Sequence, residues 1–270
     1  MERTYINEAQ KAIGGTVKVQ GFIENLRNSK YMAFIVLKDI TGKLQITVEK
    51  ADHPDLVDTI DKLTPDSVIT VTGKVVENDY VKMGGVEMIP ESIEVESTAN
   101  ALPIVRKEIA ATKKKKAVER SSIDQRIDYR WIDLRTDENQ LMFKAQSCFV
   151  NAMRKFLLDR NFIEIHTPKL IAAASESGSE VFKVDYFDRN AYLAQSPQFY
   201  KQMAMAAGFE RIFETGPVFR AEKSYTNKHA TEFSGFDLEF SYITSFKDVM
   251  KMEEELLTAV LQAAKDSYGD

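Results

Sequence analysis

Residues able to do chemistry concentrate around Phe219-Arg220-Ala221-Glu222, with His229 a few residues on. An arginine at a strand end can fork onto a phosphate or a carboxylate through two parallel N–H donors. Glu222, two residues later, points to the same side of a strand, where it can hold an amino group or orient Arg220. A surface ion pair fits the same residue types. Other familiar sites are excluded: there is no Gly-x-x-x-x-Gly-Lys-Ser/Thr loop, no dinucleotide fingerprint and no Gly-x-Ser-x-Gly elbow. His53, His166 and His229 lie far apart and no Cys/His cluster exists, which argues against structural zinc. Cys148 is the single cysteine, so no disulfide can form within the chain. Its apolar neighbours Phe149 and Val150 read it as a small packing residue rather than a reactive thiol.

The elements that must position these residues fall into two blocks. With 270 residues, 44% of them hydrophobic, the chain has room for two cores. No apolar run approaches the roughly 18 residues of a membrane helix. The opening Met1-Glu2-Arg3-Thr4 is not an apolar signal, so a cytoplasmic setting is expected. The net charge of −5 by itself argues against nucleic acid. Its distribution is more telling: residues 101–135 carry ten basic and five acidic side chains, between two acidic blocks. The run Lys113-Lys114-Lys115-Lys116 fits a solvated linker or a hinge passing near phosphate.

Residues 16–95 read as short strands, at Thr16–Ile23, Ala33–Asp39, Leu44–Val48, Ser67–Val76 and Glu87–Val95. A turn falls at Thr41-Gly42-Lys43, and a helix-like segment, Asp55–Leu63, separates the third strand from the fourth. That order suits an OB-fold barrel. Residues 97–137 show little periodicity. Beyond them the spacing of Leu141, Ala145, Phe149, Met153, Phe156 and Leu157 predicts an amphipathic helix over 138–160. A strand at Phe162–Ile165, a helix at Pro197–Ala207, strands at Arg211–Arg220 and Gly235–Ile243, and a helix from Phe246 to Ala264 follow. In the last strand Phe236, Leu238, Phe240 and Tyr242 alternate with Asp237, Glu239 and Ser241.

Four segments, in order, resemble the class II aminoacyl-tRNA synthetases. Phe162-Ile163-Glu164-Ile165-His166-Thr167-Pro168 resembles motif 1, the dimer-forming segment, which implies a homodimer with Pro168 at its interface. Ser175-Glu176-Ser177-Gly178-Ser179-Glu180 is similar to the mobile amino-acid-binding loop, with Ser177 where glycine is common. Gln195-Ser196-Pro197-Gln198-Phe199-Tyr200-Lys201-Gln202 resembles the segment typical of the aspartate enzymes of archaeal and eukaryotic type. Phe219-Arg220-Ala221-Glu222, the following loop with His229, and Glu232-Phe233 resemble motif 2. In the barrel, Phe34 through Gln45, with Leu37-Lys38-Asp39 and Gly42 between, is similar to the anticodon-binding domain of the aspartate, asparagine and lysine enzymes.

The resemblance implies activation of L-aspartate by ATP and Mg2+ to aspartyl-adenylate, then transfer to tRNA(Asp), and to tRNA(Asn) in some members. Arg220 would clamp the α-phosphate and the aspartate α-carboxylate, with Glu222 on the adenine amino group and Ala221 and Ala230 lining the ATP site. Lys228, where arginine is usual, and His229 would lie near the β- and γ-phosphates. Glu176 would accept from the α-ammonium, and Gln195 and Gln198 would orient the substrate. Lys201, held by Asp237, would favour a carboxylate over an amide. Phe34 would stack on an anticodon base, with Arg27 and Gln45 beside it. The fold class expected is an all-β OB-fold barrel followed by an α+β antiparallel-sheet class II catalytic domain. Residues 1–97 would form the barrel, 98–137 a basic hinge, and 138–270 the first part of the catalytic domain. No Gly-rich third motif occurs in the chain, so metal ligands are expected elsewhere and the isolated chain is expected to be inactive. A non-catalytic tRNA-binding or regulatory paralogue and an asparaginyl-tRNA synthetase are the alternatives. An asparagine synthetase, which needs no tRNA, is disfavoured by the barrel.

Overall fold

Alternation of apolar and polar residues builds the first half of the chain. In the computed structural model, which describes residues 1–108, 117–175, 180–223, 226 and 228–269, the chain divides into two units, Met1–Ile132 and Asp133–Asp270. A short helix α1 (Ile6–Ala9) leads into strands β1 (Thr16–Asn28), β2 (Met32–Lys38) and β3 (Lys43–Glu49). A 3-10 turn (Pro54–Leu56) runs into helix α2 (Val57–Lys62), and strands β4 (Val68–Glu77) and β5 (Val86–Ser97) follow. The five strands close in the order β1-β2-β3-β5-β4. Their alternate residues, among them Ile35, Leu37, Leu44, Ile46, Val71 and Met88, fill the interior, and Ile6 and Ile60 join it from α1 and α2. Closure brings backbones very near: a Cβ on Gly21 would stand 2.3 Å from the Lys38 carbonyl oxygen, so only glycine fits there. Asp39 ties α1 to the β2–β3 turn, accepting from the Ile6, Thr41 and Gly42 amides and the Thr41 hydroxyl. Burial alone would raise its carboxyl, but these donors outweigh burial and hold it below the ordinary carboxylate range.

The stretch without periodicity has structure of its own. Thr64 Oγ1 donates to the Ala99 carbonyl, Arg106 pairs with Asp66 at 2.7 Å, and Val105 and Ser121 exchange two hydrogen bonds. Helices α3 (Ile123–Asp128) and α4 (Arg130–Asp133) follow; both are too short to produce a readable repeat. The basic run Lys113–Lys116 lies outside the described residues.

The second unit opens with helix α5 (Asp137–Leu158) and two two-residue strands, β6 (Ile163–Glu164) and β7 (Leu170–Ile171). Strands β8 (Lys183–Tyr186) and β9 (Arg189–Leu193) form a hairpin to which β7 adds, and helix α6 (Gln198–Ala206) comes next. Strands β10 (Arg211–Phe219) and β11 (Glu232–Phe240) pair antiparallel, β6 joins β10 in parallel, and helix α7 (Phe246–Tyr268) ends the described fold. One face of this sheet is apolar: Phe213, Phe236, Leu238 and Phe240 pack with Phe156, Leu157, Leu256 and Val260 of α5 and α7. Two expectations need correction. Tyr242 does not continue the apolar face, because β11 stops at Phe240 and Tyr242 turns outward with φ +59°. Leu141 and Phe149 lie on exposed parts of α5, whose buried contribution comes from Phe156 and Leu157 near its end. Cys148 is half-buried, with its Sγ near the Ala263 carbonyl and the Ser267 hydroxyl.

Candidate active site

The polar face of β10 and β11 carries the charges. The pairing register sets Glu214 opposite Asp237 and Ile212 opposite Glu239, so all three carboxylates share one side of the sheet. Lys201, on the first turn of α6 and only 4% exposed, reaches this face. Its Nζ donates a hydrogen bond to Asp237 Oδ1 and stands 3.4 Å from Glu239 Oε2. Glu239 Oε2 is buried and accepts no hydrogen bond among the described residues, so the ion pair with Lys201 is its compensation. Glu214 has a separate partner set: the Thr167 amide at 2.8 Å, the Thr167 hydroxyl at 2.7 Å and Lys169 Nζ at 2.9 Å. Burial would raise its carboxyl, but the Thr167 amide, Lys169 and the Thr167 hydroxyl outweigh it and depress the pKa.

Arg220 follows directly on β10. Its guanidinium lies over the Phe233 ring, 5.6 Å from the centroid, and its amide donates to the Thr231 carbonyl. Its Nε is buried and finds no hydrogen-bond partner among the described residues. A buried guanidinium donor of this kind is free for a group the described residues do not supply, and an oxyanion is the chemical match.

Residues 122–269 match the family described as tRNA synthetases class II (D, K and N), and residues 17–96 match the OB-fold nucleic acid binding domain. The chain belongs to the class II tRNA synthetases of this group. It is 45% identical over 255 residues to the aspartate–tRNA(Asp/Asn) ligase of Methanopyrus kandleri, covering 94% of this chain and 57% of that protein. It is 41% identical over 269 residues to the aspartate–tRNA(Asp) ligase of Picrophilus torridus, covering 99% of this chain and 60% of that one. Among solved structures it is similar to the asparaginyl-tRNA synthetase of Pyrococcus horikoshii complexed with asparaginyl-adenylate. There the TM-score is 0.87 at 30% identity, over 98% of this chain and 59% of that one. The chain thus spans less than two thirds of these relatives' length.

Gln195 is fully buried, and its Oε1 accepts from the Ser175 amide at 3.2 Å. The Ala221 amide donates to the Glu180 carbonyl at 3.0 Å, so both flanks of the amino-acid loop are tied to the region. Glu176, within that loop, lies outside the described residues. Gln198 and Glu222 are half-buried. Lys228, His229 and Ala230 are exposed, with His229 Nδ1 2.7 Å from the Thr226 hydroxyl. Pro168 is exposed between β6 and β7. No group of three or more potential metal-ligating side chains comes together among the described residues, and no helix of theirs is long and apolar enough to cross a membrane. Glu239 and the Lys169–Glu214 pair escaped the sequence reading; the Asp-x-Glu alternation of β11 was the one available signal for Glu239.

In the first unit Arg27, Phe34 and Gln45 all lie on the outer face of the barrel. Arg27 is the cross-strand partner of Phe34, and its guanidinium stands 5.7 Å from that ring's centroid. Gln45 lies on the next strand, opposite Val36. Phe34 is half-buried.

Proposed function

We propose that this chain belongs to an aspartate–tRNA ligase. Aspartate attacks the α-phosphorus of ATP through a carboxylate oxygen, a P–O bond breaks, and aspartyl-adenylate and pyrophosphate form. A ribose hydroxyl at the tRNA terminus then attacks the acyl carbon and releases AMP. The observation that carries the aspartate reading is buried Lys201. Its ammonium spends one N–H on Asp237 and faces Glu239, which leaves a donor for a substrate carboxylate. An amide would offer no compensating charge at that donor. The Asp237 and Glu239 carboxylates suit the substrate's α-ammonium, and the Nε of Arg220, without a partner among the described residues, suits the α-phosphate and α-carboxylate. Glu176, Gln195 and Gln198 would surround the amino acid. Ala221, Glu222, Lys228, His229 and Ala230 would surround ATP, and magnesium would enter on its phosphates. The barrel would receive the anticodon of tRNA(Asp) at Arg27, Phe34 and Gln45. Two copies would pair through the motif 1 segment that ends at Pro168, in the cytoplasm.

An asparaginyl-tRNA synthetase is the competing reading, favoured by the likeness to the Pyrococcus horikoshii structure. Aminoacylation by the complete gene product separates the two, with aspartate and asparagine each offered to transcripts of both tRNAs. Aspartate is expected to be charged and asparagine refused, with Lys201→Ala lowering kcat/KM for aspartate by roughly a hundredfold or more. Charging of asparagine, or an amino-acid choice unmoved by Lys201→Ala, overturns the proposal. The tRNA(Asn) transcript distinguishes an enzyme for one tRNA from an enzyme for both.

A further inference from the structure

Besides Lys201, a second ammonium group meets the polar face of β10 and β11. Lys201 takes the β11 side, at Asp237 and Glu239. Lys169, just before β7, takes the β10 side. Its Nζ donates to Glu214 Oε1 at 2.9 Å and to Thr167 Oγ1 at 3.1 Å. It lies over Gly216, 3.7 Å from the place of a Cβ, on the same side of the sheet as Glu214. The Lys169 carbonyl accepts from the Ala194 amide at 3.0 Å, one residue before Gln195, which fixes where the lysine side chain starts.

Glu214 and Asp237 are directly opposed across the two strands. Residues paired in this way hold their Cβ atoms about 5 Å apart, and like charges there repel. Glu214 is 3% exposed, so water screens its charge little. Lys169 is the one cation in contact with it among the described residues. The Thr167 amide and hydroxyl bring dipoles to the carboxylate but no charge. Without the Lys169 ammonium, an uncompensated anion would stand one strand away from Asp237 and from the Lys201 ammonium that Asp237 holds. It would draw Lys201 towards β10 and repel any carboxylate brought to Lys201 from outside.

We propose that Lys169 is a positioning residue for amino-acid selection: by neutralising Glu214 it keeps the remaining N–H of Lys201 for the carboxylate of the substrate. This rests on the aspartate reading of Lys201. In a purely structural ion pair, loss of either partner does the same harm. Here the two losses differ in sign. Loss of Lys169 leaves an anion beside the place of an anionic substrate group, whereas loss of Glu214 leaves a cation there.

The test is amino-acid-dependent pyrophosphate exchange by the complete gene product, run with aspartate and with asparagine. In Lys169→Gln the KM for aspartate is expected to rise roughly tenfold or more, the effect of one uncompensated charge on the neighbouring strand. The KM for ATP should stay within about threefold of wild type, since Glu214 faces the amino-acid side chain and not the nucleotide. In the double variant Lys169→Gln, Glu214→Gln the uncompensated charge is gone, and the KM for aspartate should return to within about threefold of wild type. In Glu214→Gln alone it should stay at or below the wild-type value, and this variant carries the test if Lys169→Gln does not fold. A KM for aspartate unmoved in Lys169→Gln overturns the role of Lys169. So does a rise that the double variant fails to reverse, or a rise in Glu214→Gln alone, since either marks a pair that only holds β7 to the sheet. All three of those results leave the aspartate reading standing. If the wild type exchanges with asparagine and not with aspartate, that reading fails and the inference with it.

Discussion

Lys201→Met removes the charge at the centre of the candidate site while keeping an unbranched side chain of similar length. Asp237 and Glu239 then face one another without their cation. Removing one partner of a fully buried ion pair costs about 3–5 kcal/mol. Here the Asp237 and Glu239 side chains are 35% and 25% exposed, so water screens both in part. A cost of about 2–3 kcal/mol is the expected outcome, a fall in midpoint of roughly 8 °C for a unit of this size. Urea and thermal unfolding followed by circular dichroism should be run on Lys201→Met and on the triple variant Lys201→Met, Asp237→Asn, Glu239→Gln. With the uncompensated charges gone, the triple variant should return to within about 1 kcal/mol of wild type. A single variant within about 0.5 kcal/mol of wild type would refute the idea that Lys201 compensates these carboxylates. So would a triple variant no more stable than the single one.

Glu214→Gln should cost about 2 kcal/mol at pH 7, because a neutral amide loses the ionic part of the bonds to Thr167 and Lys169. The folded carboxyl is held below its unfolded value, so its contribution is complete above the unfolded pKa and is lost as pH falls through the folded one. Urea midpoints should therefore converge as pH drops below about 4; a gap undiminished in acid would contradict the assignment. Gly21→Ala should destabilise the barrel by about 2 kcal/mol or more, since the nearest atom is a backbone oxygen that cannot rotate away; hydrogen exchange at β1 and β2 would report it. Phe34→Ala should weaken binding of an aspartate anticodon hairpin by about 1–3 kcal/mol without lowering barrel stability comparably. Equal affinity for the two proteins would remove Phe34 from the RNA face.

The extent to which the sequence anticipates the fold follows how local each signal is. The barrel strands are long and alternate at period two, so their inner residues, such as Ile35, Leu37 and Ile46, stand out without any knowledge of their partners. The hairpin of β8 and β9 and the strand β7 are too short to carry a period, and they become strands only by pairing. The helix α5 announces itself by its spacing, but periodicity cannot say how much of a face will be covered, which is why Leu141 and Phe149 prove exposed.

The same division runs through the site. Motif order, the residue types at Arg220, Lys201 and Asp237, and the class of fold are written along the chain, because each depends on residues close in sequence. The meeting of Lys201 with both Asp237 and Glu239 needs α6 laid against β11, and Glu214 needs Lys169 brought back from before the hairpin. Gln45 shows most clearly what sequence alone could not decide. Its amide meets the carboxylate of Glu87, dozens of residues away, only once the barrel has closed.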